Sequence, residues 1–211
     1  MLNAISKNGG LLAGFTLITT AILSLVYWLT APRIDAQVRA RTAQLLHQVL
    51  PQSRFDNNII TSCTLVNTGN PEMPTARVFR AFKAEQPVAL IVDTITPNGY
   101  SGDIRFLVSI LASGKIGGVR VLEHSETPGL GDKIELRIDD WILSFEQLNS
   151  ASVYDSVWAV KKDGGQFDQF TGATITPRAV VSGAQQAVKY ALEHQDQLYQ
   201  ATADCGQEAT S

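Results

Sequence analysis

The chain has 211 residues, of which 45% are hydrophobic and 18% charged, and its formal net charge is −3. This much apolar material excludes an intrinsically disordered protein, and the length suits one soluble domain with an additional segment. The acidic balance argues against a nucleic-acid-binding protein, which needs an excess of Lys and Arg to neutralise phosphate. Two cysteines outside any C-x-x-C motif are too few for a disulfide-rich scaffold.

The charge is divided unevenly along the chain. Residues 1–41 hold four basic residues and one acidic residue, a net charge of +3, so the remainder carries −6. No charged residue occurs between Lys7 and Arg33, and residues 9–31 are long enough to cross about 30 Å of hydrocarbon as a helix. A cleaved secretory signal has a shorter apolar region of about 7–15 residues. The segment therefore predicts a retained membrane anchor, while the charges on its two sides leave its orientation open.

The next part of the chain predicts a stalk followed by strands. Residues 33–50 have the periodicity of an amphipathic helix that ends at Pro51, and residues 52–75 indicate mainly loop, with a short strand at residues 63–66. Runs of β-branched and aromatic residues then predict four longer strands, the last two joined as a hairpin by a Ser-Gly turn. These strands are predicted at residues 77–83, 88–95, 104–110 and 116–122.

The C-terminal part predicts mainly helices. Residues 134–138 and 141–148 indicate short helices, and residues 157–160 indicate one more strand. The last long helix is predicted at residues 177–199, with Thr176 as its N-cap and a proline at its first position. Strands followed by short helices, a strand and a long helix predict an α+β fold.

The sequence contains no Walker A loop, G-x-G-x-x-G, H-E-x-x-H or G-x-S-x-G motif, and its histidines lack metal-ligand spacing. Residues 126–131 form a Glu-Thr-Pro-Gly-Leu-Gly block (the ETPGLG block), which indicates a turn or, because glycine lets backbone approach closely, contact with a flat ligand. Residues 168–174 form an Asp-Gln-Phe-Thr-Gly-Ala-Thr block (the DQFTGAT block) just before the last helix. A phosphate would be stabilised at that helix N-terminus, but ordinary capping by threonine explains the same residues. Local chemistry leaves the role of both blocks open.

A family resemblance favours the ligand-binding interpretation of both blocks. The DQFTGAT block resembles the D-x-x-[ST]-G-A-T signature of covalently flavinylated domains, in which the final Thr is joined to FMN through a phosphoester. The Gly-Tyr-x-Gly block at residues 99–102, the ETPGLG block and the terminal helix are also similar, and together they span about residues 99–192. Their order behind one N-terminal anchor resembles the G subunits of the Rnf/Rsx ion-translocating electron transport complex. The related C subunits of the Na⁺-translocating NADH:quinone reductase share the domain and the anchor.

The resemblance implies an electron-carrying flavoprotein component of a membrane oxidoreductase, and not a stand-alone enzyme. FMN would be joined to Thr174 as a phosphoester, making the chain a phosphoprotein, by a flavin transferase that consumes FAD and releases AMP. No catalytic residue and no metal are implied. The residues implied to be recognised by the transferase are Asp168, Thr171, Gly172, Ala173 and Thr174. The implied cofactor-binding residues are Thr174, Thr171, Gly172, Ala173, Thr176, Glu126, Thr127, Gly129 and Leu130.

The resemblance also implies an arrangement in the bacterial inner membrane, with the flavin domain on the periplasmic side. The expected segments are a cytoplasmic N-terminus (1–8), a transmembrane helix (9–31), a stalk and first periplasmic part (32–98), the FMN-binding domain (99–192) and a helix end with tail (193–211). The expected partners are other membrane and peripheral subunits of the complex. An oxidising compartment permits a Cys63–Cys205 disulfide, although the sequence does not show whether the sulfurs meet. The alternative function is a non-redox bitopic scaffold or assembly protein.

Overall fold

The computed structural model describes residues 2–146 and 148–205 and divides the chain into two compact units, Met1–Thr42 and Ala43–Ser211. Helix α1 begins at Leu2 and ends at Val49, with Pro32 inside it. Within the described residues, α1 is the one helix long and apolar enough to cross a membrane. Its most apolar 18-residue stretch has a mean hydropathy of 1.9 and is not buried. The predicted N-terminal apolar helix is therefore confirmed.

The second unit is built on a five-stranded antiparallel sheet in which each strand pairs with the next along the chain. Its strands are β1 (Cys63–Asn70), β2 (Met73–Lys83), β3 (Gln86–Thr96), β4 (Ile104–Leu111) and β5 (Ile116–Glu123). The four longer strand predictions are confirmed. The short strand predicted at residues 63–66 is confirmed as the start of β1, but the loop prediction for residues 67–75 is wrong, because β1 extends to Asn70 and β2 begins at Met73. Their Asn- and Thr-rich ends are half exposed, so they lack the apolar alternation that reveals a strand.

Both faces of the sheet are covered. One face packs against helix α2 (Ile175–Glu193) around fully buried side chains such as Phe106 and Val108. The other face packs against the end of α1 and the segment that follows it, through Leu46, Val49 and Phe55. Short 3₁₀ helices complete the layer that contains α2, and the mixture confirms the α+β prediction. These 3₁₀ helices are Asp132–Ile134, Asp140–Phe145, Ser150–Tyr154 and Lys161–Asp163, with Gln52–Arg54 following α1.

Two predictions in this layer are corrected by the structure. Residues 157–160 are not a strand, because Val160 makes only an isolated bridge to Phe167. The apolar residues of that segment belong to the core instead, since Trp158 and Val160 are buried in an aromatic cluster with Phe145 and Phe167. The helix predicted at residues 134–138 is also wrong, because the 3₁₀ helix there ends at Ile134 and the residues after it form turns. The helix predicted at residues 141–148 is present as Asp140–Phe145, and residue 147 lies outside the described residues.

The predicted last helix is also corrected. It begins at Ile175 rather than residue 177, so its N-cap is Thr174 and not Thr176. It ends at Glu193, and a separate helix α3 (Gln195–Gln200) follows. The break occurs at His194, whose backbone is no longer helical and whose ring Nδ1 lies 3.0 Å from the Tyr190 carbonyl oxygen at the helix end. Of the predicted tail, residues 206–211 lie outside the described residues.

The C-terminal segment attaches to the outer edge of β1. Cys205 forms a disulfide with Cys63, and their Cα atoms are 5.6 Å apart. Next to it, the Asp204 backbone N–H donates to the Cys63 carbonyl over 3.0 Å, and the Asp204 carboxylate accepts from the Leu65 N–H over 2.8 Å. These bonds satisfy edge-strand groups that would otherwise face water or another chain. The structure thus answers the question about the two sulfurs that the sequence left open.

Gly183 allows α2 to lie close to the sheet. A Cβ on Gly183 would lie 2.9 Å from Phe106 Cζ and 3.0 Å from Thr96 Cβ. We expect Gly183→Ala to lower the free energy of unfolding by about 1–2 kcal/mol, because the overpacking penalty outweighs the helix propensity that Ala gains. Urea unfolding followed by circular dichroism measures the change, and Ser182→Ala, one residue away, should stay within about 0.5 kcal/mol of wild type. A more stable Gly183→Ala variant would contradict this packing argument.

Candidate functional site

A cleft of about 330 Å³ lies where the end of β5 meets the beginning of α2. It brings together the ETPGLG block and the DQFTGAT block, which lie far apart in the sequence. Its lining residues are Tyr100, Glu126, Thr127, Leu130, Gly131, Gly172, Ala173, Thr174, Ile175 and Thr176. Of the predicted cofactor-binding residues, Thr171 and Gly129 do not line it. Tyr100, Gly131 and Ile175 do, although the sequence did not predict them as binding residues, and each lies in or directly beside one of the motif blocks.

Glu126 joins three segments of the cleft wall. Its carboxylate is almost fully buried, accepts a hydrogen bond from the Ser101 backbone N–H over 3.0 Å and accepts another from the hydroxyl of the fully buried Thr176. A Cβ on Gly99 or on Gly131 would lie 2.9 or 2.8 Å from a Glu126 carboxylate oxygen. The close approach of this carboxylate thus excludes a side chain at Gly131, whereas at Gly99 the carbonyl oxygen of Gly102 lies closer still. Glu126 connects the loop before β4, the ETPGLG block and α2.

Thr174 stands at the N-terminus of α2. It is the N-cap residue, and its side chain makes no capping hydrogen bond. The residue is half exposed in the cleft wall, beside the first unbonded N–H groups of the helix, which favour an anion. Gly172 reaches this corner with a φ of +82°, a conformation that glycine adopts without strain, and Leu130 packs 3.5 Å from where its Cβ would be. The geometry therefore leaves the Thr174 hydroxyl available for chemistry.

Asp168 and Thr171 lie outside the cleft. Both residues are exposed, and the Asp168 carboxylate lies 2.6 Å from Lys161 Nζ. The backbone carbonyl of Asp168 accepts a hydrogen bond from the indole N–H of the buried Trp141 over 2.8 Å, which fixes this end of the DQFTGAT block on the core. The two side chains are thus exposed to solvent on a well-supported segment. Another protein can contact them there, whereas a ligand bound in the cleft would not.

Two mostly buried side chains and one exposed arginine form a hydrogen-bonded cluster next to the ETPGLG block, and no sequence motif predicts it. His124 Nδ1 accepts the Glu126 backbone N–H over 3.0 Å, and His124 Nε2 lies 2.7 Å from Glu135 Oε1. Arg137 makes two hydrogen bonds to the same carboxylate. These bonds, that from Arg137 above all, lower the pKa of Glu135 to about 2 against the opposing effect of burial. We call His124, Glu135 and Arg137 the His124 cluster.

In a comparison with known proteins, two parts of the chain match two family models. The FMN-binding domain matches residues 99–189, and the RnfG N-terminal region matches residues 1–49. The G subunit of the ion-translocating oxidoreductase complex from Vibrio cholerae serotype O1 (strain ATCC 39315 / El Tor Inaba N16961) is 47% identical over 208 residues, covering 97% of this chain and 99% of the relative. The proteins of the same name from Shewanella amazonensis and Pseudoalteromonas atlantica are 44% and 40% identical, over 97% and 100% of this chain and 96% and 99% of theirs.

The chain belongs to the family of G subunits of ion-translocating oxidoreductase complexes. The predicted resemblance is thereby confirmed, as is an FMN-binding domain of an electron transport protein. The cleft lies wholly inside the segment that matches the FMN-binding domain. Its residues fit this cofactor, since Leu130 and Tyr100 offer apolar contact, Gly172 adds no side chain to the cleft wall, and the start of α2 suits a phosphate.

The low pKa of Glu135 predicts a pH-dependent stability for this member of the family. A carboxyl whose pKa falls from 4.5 to about 2 on folding stabilises the protein fully above about pH 5 and loses this effect as the pH falls toward 2. Because Arg137 is 70% exposed and screened by water, we expect the effect to be about 1–2 kcal/mol, below what the full shift would give. Urea unfolding should show Glu135→Gln less stable than wild type near pH 7, with the difference shrinking by about pH 3. A stability difference between Glu135→Gln and wild type that does not change with pH would contradict this prediction. Glu85→Gln, in an exposed turn, is the control variant.

Proposed function

We propose that this protein is a membrane-anchored electron carrier of an ion-translocating oxidoreductase complex, and that its FMN is joined to Thr174 through a phosphoester. The observation that carries the proposal concerns the Thr174 hydroxyl. It lies at the N-terminus of α2, where the two motif blocks meet, and makes no capping hydrogen bond to the helix. When bound, FMN supplies the redox chemistry. The chain binds and orients it, with the start of α2 near the phosphate and the ETPGLG block beside the ring.

The attachment requires a separate flavin transferase. In this step the Thr174 Oγ forms a bond to the phosphorus of the FMN half of FAD, the phosphoanhydride bond breaks, and AMP leaves. The hydroxyl proton goes to a base on the transferase. The exposure of Asp168 and Thr171 on a supported segment agrees with their recognition by this enzyme, together with Gly172 and Ala173 of the same block. These residues then serve maturation and do not take part in electron transfer.

We infer that residues 9–31 span the bacterial inner membrane, with residues 1–8 in the cytoplasm and the FMN-binding domain (99–192) on the periplasmic side. The large apolar side chains of α1 are exposed along this stretch, as a lipid-facing helix requires. The Cys63–Cys205 disulfide supports a periplasmic domain, because such bonds persist in oxidising compartments. The name of the relatives indicates a complex with further subunits, and the proposed partners are membrane and peripheral subunits of such a complex.

The test is the intact mass of the full chain purified after expression with a flavin transferase. We expect a mass increase of one FMN and yellow-green fluorescence of the protein band in a denaturing gel, and neither without the transferase. An unmodified chain under the first condition would contradict the proposal and favour the non-redox scaffold. A C-terminal alkaline phosphatase fusion should be active, since that enzyme needs periplasmic disulfides, whereas an inactive fusion would contradict the orientation.

A further inference from the structure

The His124 cluster lies directly behind the flavin cleft and has no part in the proposed attachment. The His124 side chain is only 9% exposed, and both of its ring nitrogens are engaged. Nδ1 receives the backbone N–H of Glu126, and Nε2 lies against the Glu135 carboxylate. A buried imidazole with two defined partners is held in one orientation.

The two partners also determine where the ring carries its proton. A nitrogen that accepts a hydrogen bond from a backbone N–H cannot itself carry hydrogen, so Nδ1 is bare and Nε2 donates to Glu135. Glu135 is in turn held by the guanidinium of Arg137. Since the contact with Glu126 is made by a backbone amide, which does not exchange its proton along a relay, the cluster positions the chain and does not conduct protons into the cleft.

Glu126, the residue that His124 holds, determines the position of the cleft wall. Glu126 is held through its main chain by His124 and through its side chain by Ser101 and Thr176. Residues 127–131 follow it directly, and three of them line the cleft. A rotation at Glu126 would therefore move the wall that faces the bound ring. A side chain that fixes such a residue from outside the site limits how far its groups stray from the productive geometry.

We propose that His124 is a positioning residue of the flavin site: Glu135 fixes its tautomer, and its bare Nδ1 then holds Glu126 and with it the ETPGLG block against the flavin ring. This rests on the proposed FMN site for its effect on the flavin, but the tautomer and the Glu126 contact exist without flavin. An ion pair that merely stabilised the surface would need only Glu135 and Arg137, and it would be indifferent to the nature of the acceptor at position 124.

The first test is the anisotropy of the flavin emission in the full-length flavinylated protein. We expect His124→Ala to lower the anisotropy toward that of freely rotating FMN, because the wall that restrains the ring loosens. His124→Asn places an amide oxygen where Nδ1 stood and should keep the wild-type value. His124→Gln reaches Glu135 instead of Glu126 and should behave as the Ala variant. Equal anisotropy in all variants, or an Asn variant that resembles Ala, would overturn the proposal.

The second test does not depend on the flavin. With ¹⁵N-labelled histidine in the full chain expressed without the transferase, nitrogen chemical shifts should show His124 as a neutral ring with its proton on Nε2. A proton on Nδ1, or a charged ring at neutral pH, would overturn the assignment. The chain has three histidines, so the His124→Asn spectrum identifies the signal. If the proposed attachment itself fails, wild type carries no flavin while this measurement still decides the role of His124.

Discussion

Thr174→Ala is expected to abolish the covalent attachment of FMN. The change removes the hydroxyl that stands at the N-terminus of α2 inside the cleft without a capping bond. The protein purified after expression with the transferase should lack the mass of one FMN, and its band should not fluoresce in a denaturing gel. The neighbouring Thr176 cannot replace it, because its hydroxyl is fully buried and already donates to Glu126.

Thr174→Ser is the matched control for this experiment. It keeps a hydroxyl on the same backbone atom, so we expect it to carry flavin, although a slower attachment is consistent with its freer rotamers. The helix should remain in both variants, since Thr174 makes no side-chain cap whose loss would destabilise it. Fluorescence retained by denatured Thr174→Ala would place the phosphoester on another residue. Equal loss in the Ser and Ala variants would show that a hydroxyl at this position is not sufficient and that the transferase also requires the threonine methyl group.

The sequence was sufficient to predict the elements in which the pattern of apolar and polar residues matches the pattern of buried and exposed positions. The strands between residues 77 and 122 carry mostly apolar residues where they are covered, and the helix that begins near residue 175 has a continuous apolar stripe. The sequence-based prediction was wrong where tertiary contacts determine the secondary structure. Val160 looks like part of a strand because it is β-branched and apolar, yet it is buried among aromatic rings. Likewise β1 ends in polar residues that are ordered by pairing with β2.

The site was partly predictable for the same reason. The two blocks stand out by their glycines and threonines, and most of the residues named from them line the cleft. What the sequence could not reveal is the use of each side chain. Thr176 looks like a helix cap but bonds to Glu126, while Thr174 occupies the cap position with its hydroxyl unused. His124 is an isolated histidine in the sequence, and its link to Glu135 depends on how the chain returns after β5.

Glu126→Ala is expected to cause the largest loss of stability among single changes in the cleft, about 2–3 kcal/mol in the free energy of unfolding. The carboxylate has two donors, and they do not contribute equally. Ser101 lies at the surface, where water can replace the bond to its N–H. Thr176 is fully buried, so its hydroxyl loses its acceptor in a site with no solvent, and this together with the space left by the side chain accounts for most of the cost. Urea unfolding followed by the emission of the buried Trp141 and Trp158 measures it.

Two further variants separate the hydrogen bond from the other effects of Glu126→Ala. Glu126→Gln keeps the shape, with an amide oxygen to accept from Ser101 and an amide N–H₂ to donate to Thr176, so we expect it to cost about 1 kcal/mol or less. In Glu126→Ala combined with Thr176→Val, the stranded hydroxyl is gone, so the double variant should be more stable than the sum of the two single losses predicts. Additive losses would mean that the Glu126–Thr176 bond contributes nothing to stability. The contact between the ETPGLG block and α2 would then have to rest on packing alone, such as the close approach of Gly131 to α2, where a Cβ would lie 2.9 Å from Thr176 Oγ1.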